Sequence, residues 1–420
     1  MGLPNVLKND FFRNVFALFK GNAIAQAITL VSIPILTRIY TPEEFGMIAL
    51  FVSMVNVFAI AATGGYDLSI VLPKRNGEAF HILVGSLLIA FTLGLICFIV
   101  VWISFTPLTG VFGDSSYKSI IWLLPLAVFL TGSHRSIYCW FNRKRAYSFM
   151  GNNRVVQNAA QTGVRLYRNG FSNGSWGLVA GYISGLALAW SMLAVQLFRK
   201  ESWRLKYISF KSIQKVLREH KNFPLFLMPM GILNTFSVNL LVFGLSIITT
   251  STTVGHYERA TRVISFPLAL ISSSFGSVFF EKMNRTPNRK RFYLLSYFGN
   301  LALAIVILFP IAFWGESIFA FVLGSDWRIA GKIARVIIPL TAFSYATECI
   351  STTFSVIKKN QILLIWQVVY LMLALGWLIG AKNMDIYFTL SIFSIGGSFL
   401  YAALALIGYL EIKKSITIDR

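Results

Sequence analysis

The sequence predicts an all-α integral membrane protein: 12 transmembrane helices in two six-helix lobes, related by a pseudo-twofold axis, around a central cavity. Composition, the length of the apolar stretches and an internal repeat lead to this prediction. Hydrophobic residues make up 56% of the 420 residues, charged residues 13%, and the mean hydropathy is +0.66. Soluble domains carry about 25% charged residues. Most of the chain is therefore expected to lie within a bilayer.

Twelve apolar stretches are long enough to cross a bilayer core of about 30 Å, which takes about 20 helical residues. The fifth and eighth are the most polar, since they contain Arg165 and Arg262. The predicted spans are 15–37, 45–66, 80–104, 120–140, 154–170, 176–197, 223–247, 256–279, 292–314, 333–356, 361–380 and 385–410.

The two halves of the chain repeat one pattern at an offset of about 210 residues. The segment TPEEFGMIAL (41–50) matches STTVGHYERA (251–260), with Gly46 on Gly255 at 209. Two further matches are Gly113 with Gly324 at 211 and Pro125 with Pro339 at 214. Because each half has an even number of spans, both enter the membrane from the same side, and the axis lies along the membrane normal.

The repeat predicts an N-terminal lobe at 1–197 and a C-terminal lobe at 223–420, joined by a cytoplasmic linker at 198–222. Ile213, Val216 and Leu217 share one helical face within this linker. Such a face predicts a short interfacial helix.

The net charge of +22 has a topological explanation. Of the 38 Lys and Arg residues, 26 lie in segments on the side of the N-terminus and 7 on the opposite side. The positive-inside rule then places both termini in the cytoplasm. A nucleic-acid partner is not needed to account for the charge.

Polar side chains recur at helical spacing inside several spans. A charge at mid-bilayer costs about 2.5–3.5 kcal/mol on insertion scales, so these faces are expected to meet protein or water. The offset of 214 places His134 on Glu348, which makes one stripe basic and its counterpart acidic. The stripes are Thr131, Arg135, Tyr138 and Asn142 in the fourth span; Asn158, Gln161, Arg165 and Arg168 in the fifth; and Thr341, Ser344, Glu348, Ser351 and Ser355 in the tenth.

We predict that the cavity binds an anion, because the guanidinium group of arginine donates bidentately to phosphate. The candidate substrate-binding residues are Arg135, Arg165, Arg262, Asn22, Gln26, Gln161 and Tyr138. The candidates for coupling transport to an ion are Glu348, His134 and Asp67.

Structural interpretations of the same residues are open. Polar residues of the first and seventh spans also join helices to one another. Arg262 follows Glu258 by four residues, the spacing of an ion pair on one helix. Glu348 has a second interpretation as the charge that balances Arg135.

No sequence motif indicates catalysis. Walker A and HExxH patterns are absent, and the three cysteines lack metal-ligand spacing. We therefore predict no enzyme activity, no catalytic residue, no cofactor and no metal site.

Four segments carry a resemblance to a known family: LTRIYTPEEFGMIALF (36–51), GGYDLSIVLP (64–73), KNFPLFLMPMGILN (221–234) and YERATRVISFP (257–267). Through them the chain resembles the polysaccharide-transporter branch of the multidrug/oligosaccharidyl-lipid/polysaccharide (MOP) exporter superfamily, and within it the Wzx-type O-antigen flippases. The resemblance implies a MATE-like fold and alternating access.

The resemblance also implies the cargo and the membrane. An undecaprenyl-pyrophosphate-linked oligosaccharide would move from the cytoplasmic to the periplasmic leaflet of a bacterial inner membrane. Apart from the resemblance, Glu348 with His134 as its counterpart is expected to couple transport to H⁺ or Na⁺. The expected partners are this cargo, membrane lipid, an O-antigen polymerase and a chain-length regulator.

Two other functions are open. A drug/cation antiporter of the same superfamily is expected to carry a buried carboxylate in the first span, and residues 15–37 contain none. An integral-membrane enzyme of polysaccharide assembly is expected to have a large external loop and no repeat. The sequence shows the opposite on both points.

Overall fold

A computed structural model describes residues 5–104, 115–167, 174–286, 288–357, 359–381 and 384–418. All regular elements in this part of the chain are helices. The long helices are α1 Asn5–Ile39, α2 Pro42–Ala62, α3 Asn76–Ile103, α4 Leu124–Arg143, α5 Tyr147–Leu166, α6 Gly174–Glu201, α7 Met228–Ile248, α8 Ser251–Arg285, α9 Arg289–Leu323, α10 Arg328–Ile350, α11 Asn360–Gly380 and α12 Ile386–Ile418. Shorter helices lie at Tyr66–Ser69, Ser115–Leu123, Ser202–Tyr207, Phe210–Glu219, Phe223–Leu227, Ser325–Trp327 and Thr353–Val356.

Within the described ranges, 10 helices are long and apolar enough to cross a membrane. The two long helices outside this set are α5 and α8, which contain the two spans predicted to be most polar. The prediction of an all-α, multi-pass membrane protein is confirmed. The count of 12 spans stays a prediction.

Several helices extend beyond the predicted spans. Helix α8 has 35 residues, Ser251–Arg285, against the predicted 256–279, and α5 begins at Tyr147 instead of 154. Hydropathy detects only the apolar part of a helix, whereas the backbone stays helical until capping or a turn ends it. At α9, for example, the Asn288 side chain caps the start by accepting from the Arg291 amide at 3.2 Å.

The repeat is visible where α2 and α8 begin. Thr41 caps α2 in a capping box with Glu44. Thr250, at the offset of 209, caps α8 by accepting from the Thr253 amide at 3.4 Å. Two equivalent helix starts thus share the offset seen in the sequence. Gly113 and Arg168 lie outside the described residues.

Contacts divide the chain into two compact units, Met1–Asn239 (unit 1) and Leu240–Arg420 (unit 2). The linker 198–222 lies within unit 1 and contains the helix Phe210–Glu219. Its Ile213 and Val216 are buried, and the Leu217 side chain lies against Gly85 of α3. The apolar face of this short helix therefore packs on protein. The lobe boundaries at 197 and 223 stay predictions.

Helices α1 and α5 of unit 1 cross in close backbone contact at Gly21 and Gly151. A Cβ atom on Gly21 would lie only 2.4 Å from the Cα atom of Gly151, so no side chain fits there. Small residues at such crossings let two membrane helices approach closely.

Candidate functional site

The GGYD segment forms a turn at the end of α2. Gly64 and Gly65 have φ of 58° and 72°, in the left-handed region that favours glycine. A Cβ on Gly65 would lie 3.2 Å from the Phe223 carbonyl oxygen. Two of the segments that carry the family resemblance, 64–73 and 221–234, therefore touch within unit 1. The turn leads into the short helix Tyr66–Ser69, which positions Asp67.

Asp67 and Arg135 form an ion pair inside unit 1. Nη2 and Nε of Arg135 donate to Oδ2 of Asp67 at 3.0 and 3.3 Å. The hydroxyl of Thr63 donates to Oδ1 at 2.9 Å. One predicted substrate-binding residue and one predicted coupling residue thus contact each other directly.

The two partners of this pair differ in accessibility. The Asp67 side chain is 3% exposed, whereas that of Arg135 is 39% exposed. A buried carboxylate without a counter-charge is costly, so Asp67 holds the guanidinium in place. The exposed side of Arg135 leaves donors available to a second anion.

A second polar group on α4 surrounds Tyr138. The His134 ring stacks on Tyr138 with centroids 5.8 Å apart, and the Arg154 guanidinium lies 5.5 Å from the Tyr138 ring centroid. Nε2 of His134 is 3.0 Å from Oδ1 of Asn153, and Asn153 donates to the Ala189 carbonyl oxygen at 2.8 Å. His134 is thereby fixed by the packing of α4 on α5 and α6.

Arg165 and Gln161 of α5 contact each other. With the Gln161 amide oxygen towards the guanidinium, it accepts from Nη1 and Nη2 at 2.9 and 2.7 Å. Nε of Arg165 donates to the Leu178 carbonyl oxygen of α6 at 3.3 Å. Arg165 therefore links α5 to α6 and has a structural role in unit 1.

The polar residues of α1 divide between two roles. Thr29 donates to Oδ1 of Asn158 on α5 at 2.9 Å, which joins the two helices. Gln26 is exposed, and Oδ1 of Asn22 is buried without a hydrogen-bond partner among the described residues. Thr29 and Asn158 thus join α1 to α5, whereas Asn22 and Gln26 keep polar atoms that are available for a further hydrogen bond.

In unit 2, Glu258 of α8 pairs with two arginines. Oε1 accepts from Nε of Arg262 at 2.8 Å, and Oε2 accepts from Arg259 at 2.7 Å. The Arg259 side chain is 7% exposed and that of Arg262 48% exposed. The ion pair suggested by the sequence spacing is present, and Arg262 keeps an exposed side.

Glu348 lies on the exposed face of α10 in unit 2. Its carboxylate makes no ion pair with a residue that the structure describes. The hydroxyls of Thr341 and Ser344 donate to backbone carbonyls of their own helix, at 3.0 Å each. The hydroxyls of Thr341 and Ser344 therefore bond within α10, whereas the Glu348 carboxylate has no ion-pair partner among the described residues.

Sequence reasoning missed three contributors to these groups. Arg154 extends the α5 stripe by one further helical step, four residues before Asn158, and this spacing was a usable signal. Thr63 and Asn153 gave no signal, because their role depends on the GGYD turn and on the α4–α5 packing. Across the described residues, no group of three His, Cys, Asp or Glu side chains is placed to hold a metal ion.

The helices and buried charges define a class: polytopic membrane proteins with the MATE-like fold. An inward-facing multidrug resistance MATE family transporter of the MOP superfamily matches with a TM-score of 0.66 and 16% identity, covering 96% of this chain and 98% of that one. The lipid II flippase MurJ, in an inward closed conformation, matches with a TM-score of 0.66 and 14% identity over 97% and 87%. A MOP superfamily transporter from Pyrococcus furiosus, described as having a binding pocket of reverse polarity, gives 0.63 and 14% over 96% and 95%.

Residues 35–332 match the pattern of the polysaccharide biosynthesis protein family, and the chain belongs to that family. The succinoglycan biosynthesis transport protein ExoT of Rhizobium meliloti (strain 1021) is 24% identical over 343 residues. The match covers 79% of this chain and 66% of that relative. The resemblance to the polysaccharide-transporter branch of the MOP superfamily is confirmed.

Proposed function

We propose that this protein is a flippase for an undecaprenyl-pyrophosphate-linked oligosaccharide, which it moves from the cytoplasmic to the periplasmic leaflet by alternating access. The observation that carries the proposal is Arg135, a half-exposed guanidinium anchored by a buried carboxylate on the polar face of α4. A pyrophosphate linkage offers the oxygens to which such a guanidinium donates strong, charge-assisted hydrogen bonds.

Anchoring by Asp67 makes Arg135 a suitable anion site. A free arginine loses side-chain entropy when it binds a ligand, whereas a side chain already held by two hydrogen bonds loses less. Oδ2 of Asp67 accepts from Nε and Nη2. In the proposed mechanism, Nη1 and the exposed edge of Arg135 meet the pyrophosphate, while Asp67 keeps the guanidinium oriented.

The other candidates of unit 1 supplement Arg135 in the proposal. Arg262, whose side chain is 48% exposed, is proposed as a separate anion contact of unit 2. Gln161, Tyr138, Asn22 and Gln26 offer hydrogen bonds to sugar hydroxyls. Arg165 serves mainly as a link between α5 and α6, because its donors are directed to Gln161 and Leu178.

The names of similar proteins support a lipid-linked cargo. One neighbour in fold is named a lipid II flippase, and one relative in sequence is named a succinoglycan biosynthesis transport protein. We propose an O-antigen unit as the cargo, as the family resemblance implies. The relative's name favours a second candidate, the repeating unit of an exopolysaccharide.

We further propose that Glu348 couples transport to H⁺ or Na⁺. It is exposed and makes no ion pair within the described ranges, whereas Asp67 is engaged by Arg135 and His134 by Asn153. A carboxylate without a fixed partner is free to take up and release a cation during the cycle. The proposed setting is a bacterial inner membrane with both termini in the cytoplasm, as the distribution of Lys and Arg favours.

A complementation experiment tests the cargo. A strain lacking its own flippase would receive wild-type protein, R135Q or the exposed-site control R218Q, with membrane levels matched by immunoblot. We expect wild type and R218Q to restore surface polymer and R135Q to fail. Polymer at wild-type amounts with R135Q would contradict the proposal. Scoring O-antigen and exopolysaccharide strains in parallel distinguishes the two cargo candidates.

A further inference from the structure

Unit 1 carries an apolar groove built by α3, α4 and α6. Its volume is about 340 Å³, within the range of ligand sites. Phe91 of α3 and Phe198 of α6 are among its exposed walls, so the groove opens to the surroundings of the helix bundle. Its main lining residues are Phe80, Leu83, Phe91, Ile137, Trp190 and Leu197.

The groove has one charged end, formed by Glu201 and its partners. Oε1 of the buried Glu201 accepts from Nζ of Lys144 at 3.0 Å, and Oε2 accepts from Nε of Arg204. Lys144 also lies 5.0 Å from the Trp140 ring centroid, and Arg204 lies 4.2 Å from that of Trp203. Two cations share one carboxylate, which leaves net positive charge and unused N–H donors at this end.

The length of the groove matches one leaflet of a bilayer. Trp190 and Glu201 are separated by 11 residues of α6, which corresponds to about 16 Å at 1.5 Å per residue. Phe80 and Phe91 are separated by the same number of residues of α3. Half of a hydrocarbon core of about 30 Å is about 15 Å. The groove therefore accommodates a chain that runs from the headgroup level to the bilayer centre.

We propose that this groove binds an anionic glycerophospholipid of the cytoplasmic leaflet, with one acyl chain along α3 and α6 and the phosphate at Lys144 and Arg204. Basic groups at the cytoplasmic ends of transmembrane helices are the chemistry that holds such headgroups. A polyprenyl carrier fits less well, because its chain is much longer than one leaflet. The exposed Trp203 belongs at the interface, where amphipathic rings reside.

Native mass spectrometry of the purified full chain tests the site, with phosphatidylglycerol and phosphatidylcholine added to delipidated protein. We expect wild type to prefer phosphatidylglycerol, and K144Q/R204Q to bind it roughly ten- to thirty-fold more weakly, since each basic residue near the surface contributes about 1 kcal/mol. The control K211Q/K215Q removes the same charge from the exposed side of the helix Phe210–Glu219 and should change affinity less than about two-fold.

Two further variants distinguish binding of the lipid headgroup from binding of the acyl chain. A194L narrows the groove, so both lipids should bind more weakly, whereas K144R/R204K keeps the charge and should keep phosphatidylglycerol binding. If K144Q/R204Q does not elute as folded protein, the single variants K144Q and R204Q are measured, each expected to weaken binding about five-fold. Equal binding of the two lipids by wild type, or equal losses in K144Q/R204Q and K211Q/K215Q, would overturn the proposal. A polyprenyl phosphate that displaces phosphatidylglycerol from the groove would overturn it as well.

Discussion

Helix α4 of unit 1 and helix α10 of unit 2 are counterparts in the repeat, yet their charged side chains differ in whether they have partners. On α4, Arg135 is held by Asp67 and His134 by Asn153. On α10, the neighbouring hydroxyls bond to their own helix, and Glu348 has no ion-pair partner in the described part of unit 2. The repeat thus keeps both helices. Helix α4 holds Arg135 in an ion pair, whereas Glu348 of α10 has no ion-pair partner among the described residues. A guanidinium held in place by an ion pair is suited to recognise an anion, and a carboxylate without an ion-pair partner is suited to take up a coupling cation.

The largest expected effect comes from breaking the fixed pair on α4. R135Q leaves the buried Asp67 carboxylate without a counter-charge, so we expect a loss of about 3–5 kcal/mol in the free energy of unfolding. D67N/R135Q removes both charges and should recover most of that loss. Thermal unfolding in detergent measures both variants. A stable R135Q would show that Asp67 does not depend on Arg135.

A smaller effect is expected at Arg165, whose donors bind Gln161 and the Leu178 carbonyl oxygen. R165Q should cost about 1.5–3 kcal/mol of unfolding free energy, the usual value for hydrogen bonds to a charged group. Residual transport per folded molecule should stay near wild type. Loss of transport in a fully stable R165Q would instead make Arg165 a ligand of the cargo.

The free carboxylate on α10 should affect coupling more than stability. In E348Q we expect the transport rate driven by an ion gradient to fall roughly ten-fold, while the rate without a gradient is unchanged. Proteoliposomes with and without imposed pH and Na⁺ gradients provide the measurement. E348D keeps the charge and serves as the control. An undiminished gradient response in E348Q would rule out this role.

The smallest effect is expected at Arg262, which pairs with Glu258 one helical turn away and stays half-exposed. Pairs at this spacing contribute about 0.2–0.5 kcal/mol, so R262Q should unfold within about 0.5 kcal/mol of wild type. Glu258 keeps its second partner, Arg259, in this variant. A loss several times larger would mean that Glu258 depends on Arg262 as Asp67 depends on Arg135, so that a half-exposed but fixed arginine would not be particular to unit 1.

The sequence predicted the all-α membrane fold well, because hydropathy and the repeat report on whole helices. The offset of 209 correctly matched two helix starts, at Thr41 and Thr250. The equivalence of Pro125 and Pro339 is looser, since Pro125 lies in the first turn of α4 and Pro339 in the interior of α10. Where each helix ends depends on capping and turns, which hydropathy does not report.

Which residues contact each other in the site was harder to predict than which residues belong to it. Symmetry suggested Glu348 as the balance for Arg135, whereas the turn at Gly64 and Gly65 brings Asp67 to Arg135. A one-dimensional offset compares equivalent positions and gives no information on contacts that a turn creates within one half. The Arg165–Gln161 contact follows from the helical spacing of α5, and there the sequence did indicate both partners.

The central claim, that Arg135 recognises the pyrophosphate of a lipid-linked oligosaccharide, is tested most directly by reconstituted flipping. Proteoliposomes loaded with an undecaprenyl-pyrophosphate oligosaccharide would be assayed with wild type, D67N and D67N/R135Q, all of which should fold. We predict that D67N, which loosens the anchor but keeps the guanidinium, flips roughly three- to five-fold more slowly than wild type, and that D67N/R135Q loses more than about 30-fold, because a desolvated charge contact is worth 2 kcal/mol or more. Equal rates for D67N and D67N/R135Q would contradict the account.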